Sequence, residues 1–227
     1  MTGAISVELT LVLGPATGPR RPDLAFAGNS FNMRIIRFED YYTDVERGSM
    51  AISETMPGPG SVTILSGPVG AGKTTIARKL IRMMPSPLSY IEGDTFWSFI
   101  AKSDGMEISD KFRVIVRSMT AAAIPFARSG FGVVLDFSIP PGFLVAARKI
   151  VKELPLNYVM LLPAESVCAT RAASRREGAI EDYSRFQYLY SLFNAEERYI
   201  IRNDELDAAT VAAQINEGLN NGRFIVE

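Results

Sequence analysis

The chain has 227 residues, of which 47% are hydrophobic and 22% are charged, and these proportions exclude disorder throughout the protein. Its 24 Lys and Arg residues balance its 25 Asp and Glu residues, which argues against a surface built mainly to bind nucleic acid. One cysteine and no histidine exclude intrachain disulfides, the usual zinc sites and histidine-based catalytic triads. Any general base must therefore be a carboxylate, a lysine, a tyrosine or a water molecule.

The N-terminal region differs from the rest of the chain. Apolar residues from Ile5 to Leu13 alternate with mostly polar ones, which predicts a strand, and a linker rich in Gly, Pro and Arg follows over Gly14–Pro22. We expect residues 1–55 to form a poorly ordered extension, with one strand that docks on a main domain at 56–227. No apolar run reaches the roughly 18 residues that span a bilayer. The N-terminus lacks the basic residues of a secretory signal. We therefore expect a cytoplasmic protein without a membrane partner.

The main domain alternates strand and helix patterns. This alternation predicts an α/β fold in which a parallel sheet is covered by helices on both faces. The predicted strands lie at 61–66, 88–92, 131–135, 157–162 and 199–201, and the predicted helices at 73–84, 107–128, 142–153, 164–176, 182–195 and 207–218.

A glycine-rich segment between the first predicted strand and helix of this domain matches the pattern G-x-x-x-x-G-K-[ST]. Its backbone N–H groups and the helix start form a nest for phosphate groups, and Lys73 is placed to reach the β- and γ-phosphates. The Thr74 hydroxyl is a ligand for Mg²⁺. We therefore expect a nucleoside triphosphate and Mg²⁺ as ligands, and the expected nucleotide-binding residues are Gly67, Pro68, Val69, Gly70, Ala71, Gly72, Lys73, Thr74 and Thr75.

Two carboxylates follow strands, at the edge where parallel sheets bind ligands. Asp136 ends the apolar segment Val133–Asp136 and is a candidate metal ligand; the alternative is a cap of the next turn. Asp94 follows the second strand of this domain and is a candidate base or anchor for an acceptor hydroxyl, with Trp97 or Phe96 as a wall of the acceptor site. The alternative makes Asp94 a helix cap and places Phe96 and Trp97 in the core.

Arginines form two further groups of candidates. The first group lies late in a predicted helix and consists of Arg171, Arg175 and Arg176. Guanidinium groups stabilise the charge of a transferring phosphoryl group, and a mobile flap is the best way to deliver them. Arg113 and Arg117 are four residues apart on another helix and are candidates for holding an anionic substrate. For both groups the alternative is a solvated helix face.

These segments resemble P-loop small-molecule kinases, in particular those related to gluconate and shikimate kinases, chloramphenicol phosphotransferase and zeta-toxin kinases. The resemblance rests on the glycine-rich segment, which is the P-loop of these enzymes, and on G-D-T-F-W and V-V-L-D after their strands. It also rests on P-A-E-S-V-C-A-T-R-A-A-S-R, and it covers about residues 60–215. It implies a five-stranded parallel sheet of order 2-3-1-4-5, ATP with Mg²⁺ and an arginine-bearing lid. It also implies that Arg171 lies by the adenine, Arg175 or Arg176 near the transferred phosphate, and Asp94 at the acceptor hydroxyl.

The function predicted from these residues is an ATP-dependent kinase that phosphorylates a hydroxyl group of a small molecule. One alternative is a nucleotide-dependent ATPase or switch that has no acceptor. Another is a nucleic-acid end kinase, which the balanced charge disfavours. The motifs do not identify the acceptor.

Overall fold

The computed structural model describes residues 9–13, 33–37, 60–176 and 178–227. The chain divides into two units, Met1–Met56 and Pro57–Glu227. In the first unit, strands β1 (Leu9–Leu13) and β2 (Met33–Arg37) pair in parallel. The strand expected within Ile5–Leu13 is thus observed over its second half, whereas the expectation of poor order falls mostly outside the described residues.

The second unit contains a five-stranded sheet in which every strand is parallel to its neighbours. The order β4-β5-β3-β6-β7 corresponds to 2-3-1-4-5 when the strands of this sheet are counted alone, so the predicted α/β fold and strand order are confirmed. The strands are β3 (Val62–Ser66), β4 (Leu88–Glu92), β5 (Gly132–Asp136), β6 (Leu156–Leu161) and β7 (Ile200–Ile201).

Six α-helices connect and follow these strands in the described part of the second unit, together with short 3₁₀ helices. Most bounds lie within a few residues of the predicted ones, but the first helix ends at Leu80 rather than at residue 84, because the chain tightens there into turns that precede Pro85. The helices are α1 (Lys73–Leu80), α2 (Ile108–Arg128), α3 (Leu144–Val151), α4 (Glu165–Ala173), α5 (Ser184–Ser191) and α6 (Ala208–Asn220).

The core has two layers, one on each face of the sheet. Helices α2 and α3 cover one face, where Ile115 and Met119 pack on alternate strand residues such as Ile64. Helices α1, α4 and α6 cover the other face and pack on the intervening strand residues. Because neighbouring strand residues point to opposite faces, each strand contributes to both layers, and this explains its nearly continuous apolar sequence.

The register of the sheet brings the carboxyl ends of its central strands to one edge. Asp136, the last residue of β5, lies opposite both Leu65 of β3 and Glu92 of β4. The loops that leave β3, β4 and β5 therefore start side by side, and the side chains that follow these strands converge on the same space.

Candidate functional site

The glycine-rich loop joins the end of β3 to the start of α1. Its last residue, Gly72, is the N-cap of α1 with φ of 91°, and it provides no side-chain cap for the helix. The first turn of α1 also contains no acidic residue. The N–H groups of this helix start therefore keep their capacity to bind an anion, and the positive end of the helix dipole adds to it.

Contacts with other elements hold the loop in shape. A Cβ atom on Gly70, whose φ is 85°, would lie 2.2 Å from the carbonyl oxygen of Cys168 on α4, so only glycine fits there. The Tyr183 hydroxyl donates to the Val69 carbonyl at 2.6 Å, and the Asn203 amide donates to the Ala71 carbonyl at 2.9 Å. These contacts bind outward-facing carbonyls of the loop, so its conformation depends on α4 and on the segments before α5 and after β7.

Lys73 lies at the centre of the site. Its Nζ donates to the carbonyls of Gly67 and Pro68, each at 3.2 Å, and to the Ser138 hydroxyl at 2.8 Å. Burial lowers the pKa of Lys73 from its ordinary value, while the nearby charges of Asp136 and Asp94 act in the opposite direction. The ammonium group thus lies between the glycine-rich loop and the residues that follow β5, within the field of both carboxylates.

Asp136 is almost fully buried, with 3% of its surface exposed. Its Oδ2 atom accepts a hydrogen bond of 2.9 Å from the Tyr90 hydroxyl, and the carboxylate of Glu92 follows Tyr90 at the end of the same strand. Burial and the neighbouring Asp136 charge raise the pKa of Tyr90, so this hydroxyl remains a donor. Sequence reasoning missed Tyr90, Glu92 and Ser138, although the two-residue period of β4 places Tyr90 and Glu92 on one face.

Asp94 lies in the first turn of a 3₁₀ helix, Gly93–Phe99, and is exposed to the cavity. Its carboxylate takes part in no side-chain hydrogen bond among the described residues, and it does not cap this helix, whose N-cap is Glu92. Trp97 is half-buried and packs against the core layer of α2 and α3 instead of lining the cavity. The structure thus separates these two candidates: Asp94 faces the site and Trp97 does not.

The arginines near α4 are arranged differently from the prediction. The helix was expected to continue to Arg176 but ends at Ala173, because Ser174 closes the last turn with its N–H on Thr170 and its hydroxyl on Arg171. Arg175 and Arg176 therefore follow the helix, and they share no helix face with Arg171. Within this group Arg171 and Arg175 line the cavity, whereas Arg176 is exposed outside it.

Arg171 is held in place by the loop after β7. Its Nη2 atom donates to the carbonyls of Asn203 and Asp204, at 2.8 and 2.9 Å. These bonds join α4 to the loop between β7 and α6, whose residues Asn203 and Leu206 also line the cavity. The lining of the cavity therefore includes one guanidinium group held by this loop and one apolar side chain of the loop, Leu206.

Arg113 and Arg117 lie outside the site. Both are exposed on α2, and Arg113 forms an ion pair of 2.8 Å with Asp110 one turn earlier. Neither residue lines the cavity. The helix turns its apolar face to the sheet, so the opposite face, which contains both arginines, is in solvent; the alternative of a solvated face describes their position.

The cavity has a volume of about 500 Å³, within the range of small-molecule sites. Within residues 60–176 and 178–227 there is no cluster of three or more metal-binding side chains. No described helix is long and apolar enough to cross a membrane. The residues that line the cavity are Gly70, Gly72, Lys73, Thr74, Thr75, Ile76, Glu92, Asp94, Asp136, Phe137, Ser138, Arg171, Ser174, Arg175, Asn203, Leu206 and Ala208.

Solved structures similar to this chain are kinases and related proteins. The APS kinase of Mycobacterium tuberculosis, in complex with AMPPNP and APS, is 17% identical over 72% of this chain and 99% of its own, with a TM-score of 0.58. The gluconokinase of Sinorhizobium meliloti 1021 is 22% identical over 73% of this chain and 94% of its own, with a TM-score of 0.54. The tunicamycin resistance protein of Deinococcus radiodurans is 19% identical over 74% of this chain and 99% of its own, with a TM-score of 0.54.

These similarities establish the fold: the chain has the fold of P-loop small-molecule kinases, which confirms the resemblance seen in its motifs at this level. No protein-family model and no curated protein matches the sequence.

Proposed function

We propose that the protein is an ATP-dependent phosphotransferase that moves the γ-phosphate of ATP to a hydroxyl group of a small molecule. One observation carries this proposal. A single cavity joins the uncapped start of α1 to Asp94, a carboxylate that is exposed to the cavity and does not cap its own helix. The first feature suits a polyphosphate, and the second suits a hydroxyl group that must lose a proton.

The nucleotide occupies the side of the cavity next to α1 and α4. The N–H groups of the glycine-rich loop bind the phosphates, and Lys73 leaves the carbonyls of Gly67 and Pro68 to contact the β- and γ-phosphates. We place the base near Arg171 and Leu206, a cation and an apolar side chain that both line the cavity. The implied position of Arg171 by the adenine agrees with its hydrogen bonds to the loop after β7.

The residues present fit Mg²⁺, because this cation takes oxygen ligands and usually needs only one or two from the protein beside substrate phosphates. Thr74 and Asp136 supply a hydroxyl and a buried carboxylate on the same cavity, and Tyr90 orients that carboxylate. When bound, Mg²⁺ neutralises charge on the phosphate oxygens. The fit does not require three or more protein side chains that could together hold the ion, an arrangement that the described residues do not contain.

Transfer takes place between the two sides of the cavity. The acceptor oxygen forms a bond to the γ-phosphorus, the bond from that phosphorus to the β,γ-bridging oxygen breaks, and the acceptor proton passes to Asp94. Lys73 and Arg175 stabilise the charge that is spread over the γ-phosphate oxygens during transfer. We place the reaction in the cytoplasm, where ATP is available and a lone thiol such as Cys168 stays reduced.

The test incubates the protein with ATP, Mg²⁺ and a panel of hydroxyl compounds, and measures ADP formation and the mass of the products. We expect ADP release that depends on one class of acceptor, together with a product heavier by one phosphoryl group. Lys73→Ala is expected to abolish this transfer while its circular dichroism spectrum stays that of the wild type. ADP release at the same rate with and without every acceptor would contradict the proposal and favour an ATPase or switch; phosphorylated oligonucleotide ends would favour a nucleic-acid kinase.

A further inference from the structure

We infer that the acceptor of this kinase carries no negative charge: it is a neutral or positively charged hydroxyl compound. The inference rests on the proposed function and deepens it, because it concerns the part of the same cavity that lies beyond the γ-phosphate. Its basis is the distribution of charged side chains around that cavity.

The strand order separates the two signs of charge. Glu92, Asp94 and Asp136 follow or end β4 and β5, which lie on one side of the central strand β3. Arg171 and Arg175 come from α4 and the segment after it, which follow β6 on the other side of β3. Lys73 lies between the two groups, at the start of the helix that follows β3.

The side of the cavity that receives the acceptor is therefore acidic. Apart from the carboxylates, the cavity residues that follow β4 and β5 are the neutral Phe137 and Ser138, and none of the described ones is a lysine or an arginine. Arg113 and Arg117, the residues that the sequence suggested for an anion, are exposed on α2 outside this lining, and Asp110 already pairs with Arg113.

The metal does not remove this acidity. If Asp136 held Mg²⁺, the charge of the ion would be shared with the phosphates of the nucleotide, and this would leave Glu92 and Asp94 to face the acceptor. We place Lys73 and Arg175, the nearest cations, on the γ-phosphate oxygens, so a carboxylate or sulfate on the acceptor would meet these two side chains and the γ-phosphate without a cation of its own. Such a contact between like charges selects against a ligand. A hydroxyl or an ammonium group instead donates hydrogen bonds to the same carboxylates.

The experiment uses ATP derivatives that place a test group at the acceptor position and need no phosphoryl transfer. Three γ-monoesters of ATP carry a 2-hydroxyethyl, a 2-aminoethyl or a carboxymethyl group, which are similar in size and differ in charge. Dissociation constants are measured by calorimetry with Mg²⁺ at low ionic strength, and ATP is the reference. We expect the carboxymethyl ester to bind at least about tenfold more weakly than the hydroxyethyl ester, and the aminoethyl ester to bind at least as tightly.

Variants assign this selectivity to residues. In Glu92→Gln/Asp94→Asn the difference between the carboxymethyl and hydroxyethyl esters is expected to fall to about twofold or less, because both carboxylates are then neutral. Glu153→Gln is the matched control, since this exposed carboxylate lies just before β6, near the amino-terminal ends of the strands and away from the cavity. We expect this variant to retain the full difference. If Arg113→Ala or Arg117→Ala selectively weakened the carboxymethyl ester, the inference would be wrong.

The outcomes separate the inference from the proposed function. The inference is overturned if the carboxymethyl ester binds as tightly as the hydroxyethyl ester or more tightly. It is also overturned if the protein binds ATP but none of the three esters, because the acceptor space is then not where we place it. A protein that does not bind ATP refutes the proposed function and the inference with it. A protein that shows the expected order of affinities, yet phosphorylates no hydroxyl compound, supports the charge assignment and refutes the kinase.

Discussion

Replacing Tyr90 with phenylalanine removes one hydroxyl group and leaves the aromatic ring, which packs against the core layer of α1, α4 and α6. The hydroxyl donates a hydrogen bond of 2.9 Å to Oδ2 of Asp136, a carboxylate with only 3% of its surface exposed. If Asp136 binds Mg²⁺, this bond fixes the orientation of the ligand, so Tyr90 is a positioning residue. We expect Tyr90→Phe to weaken Mg²⁺-dependent nucleotide binding and to leave Mg²⁺-independent binding unchanged.

Two estimates give the size of this effect. A hydrogen bond to a charged group contributes about 1.5–3 kcal/mol, and the low end applies here because Tyr90 is only half-buried and water replaces part of the lost bond. That low end corresponds to roughly a tenfold change in a dissociation constant. Removing the hydrogen-bond partner of a metal ligand typically costs about 10–100-fold in metal affinity, which includes the same value.

The assay measures the dissociation constant of ATP by calorimetry, once with Mg²⁺ and once with EDTA. The ratio of the two constants is expected to change about tenfold in Tyr90→Phe relative to the wild type. Tyr199→Phe is the control, because it also loses a tyrosine hydroxyl bond, here to the Ile225 carbonyl and away from the cavity. The reasoning fails if Tyr90→Phe leaves the ratio unchanged, or if it weakens binding equally in Mg²⁺ and EDTA.

Four further predictions test other parts of the site and of the chain. Asp94→Asn is expected to bind ATP normally and to lose about two to four orders of magnitude in transfer rate, the usual contribution of a general base; a loss of ATP affinity with an unchanged rate would instead assign Asp94 to the nucleotide or metal. Gly70→Ala is expected to lose nucleotide affinity because its Cβ would meet the Cys168 carbonyl at 2.2 Å, and equilibrium dialysis with labelled ATP would show wild-type binding if the contact were harmless. Burial raises the pKa of the Cys168 thiol, so the native protein is expected to react with a maleimide much more slowly than the denatured protein at neutral pH; equal rates would contradict its buried position. Above about pH 8.5, where an unfolded thiol ionises, this group also reduces stability as the pH rises. Deleting residues 1–48 is expected to leave the melting temperature and the ATP affinity nearly unchanged, since all strands of the five-stranded sheet lie between Val62 and Ile201; an insoluble product would show that the extension is structural.

The sequence by itself determined the features that depend on neighbouring residues. The glycine-rich loop follows from a local pattern between a strand and a helix. The strands and helices follow from the alternation of two hydrophobic periods. The start of α6 at Ala208 follows from Asp207, whose side chain accepts hydrogen bonds from the N–H groups of Ala209 and Thr210. The parallel sheet then follows because strands separated by helices form right-handed crossovers.

Contacts between distant segments decided the rest. Tyr90 and Asp136 are brought together by the pairing of β4 with β5, and this pairing also places Glu92 beside Asp136. Sequence spacing showed that Arg113 and Arg117 share a helix face, but only the packing of α2 on the sheet showed that this face is in solvent.

Competition between the helix and a local side-chain hydrogen bond decided where α4 ends. The pattern over 164–176 continues in sequence, yet the Ser174 hydroxyl bonds to the Arg171 carbonyl and closes the helix after Ala173. This short-range bond moves Arg175 out of the helix and leaves it at the cavity. Composition and periodicity describe which residues tend to be buried, whereas the position of a charged side chain depends on which segments meet around it, and only the tertiary structure determines that.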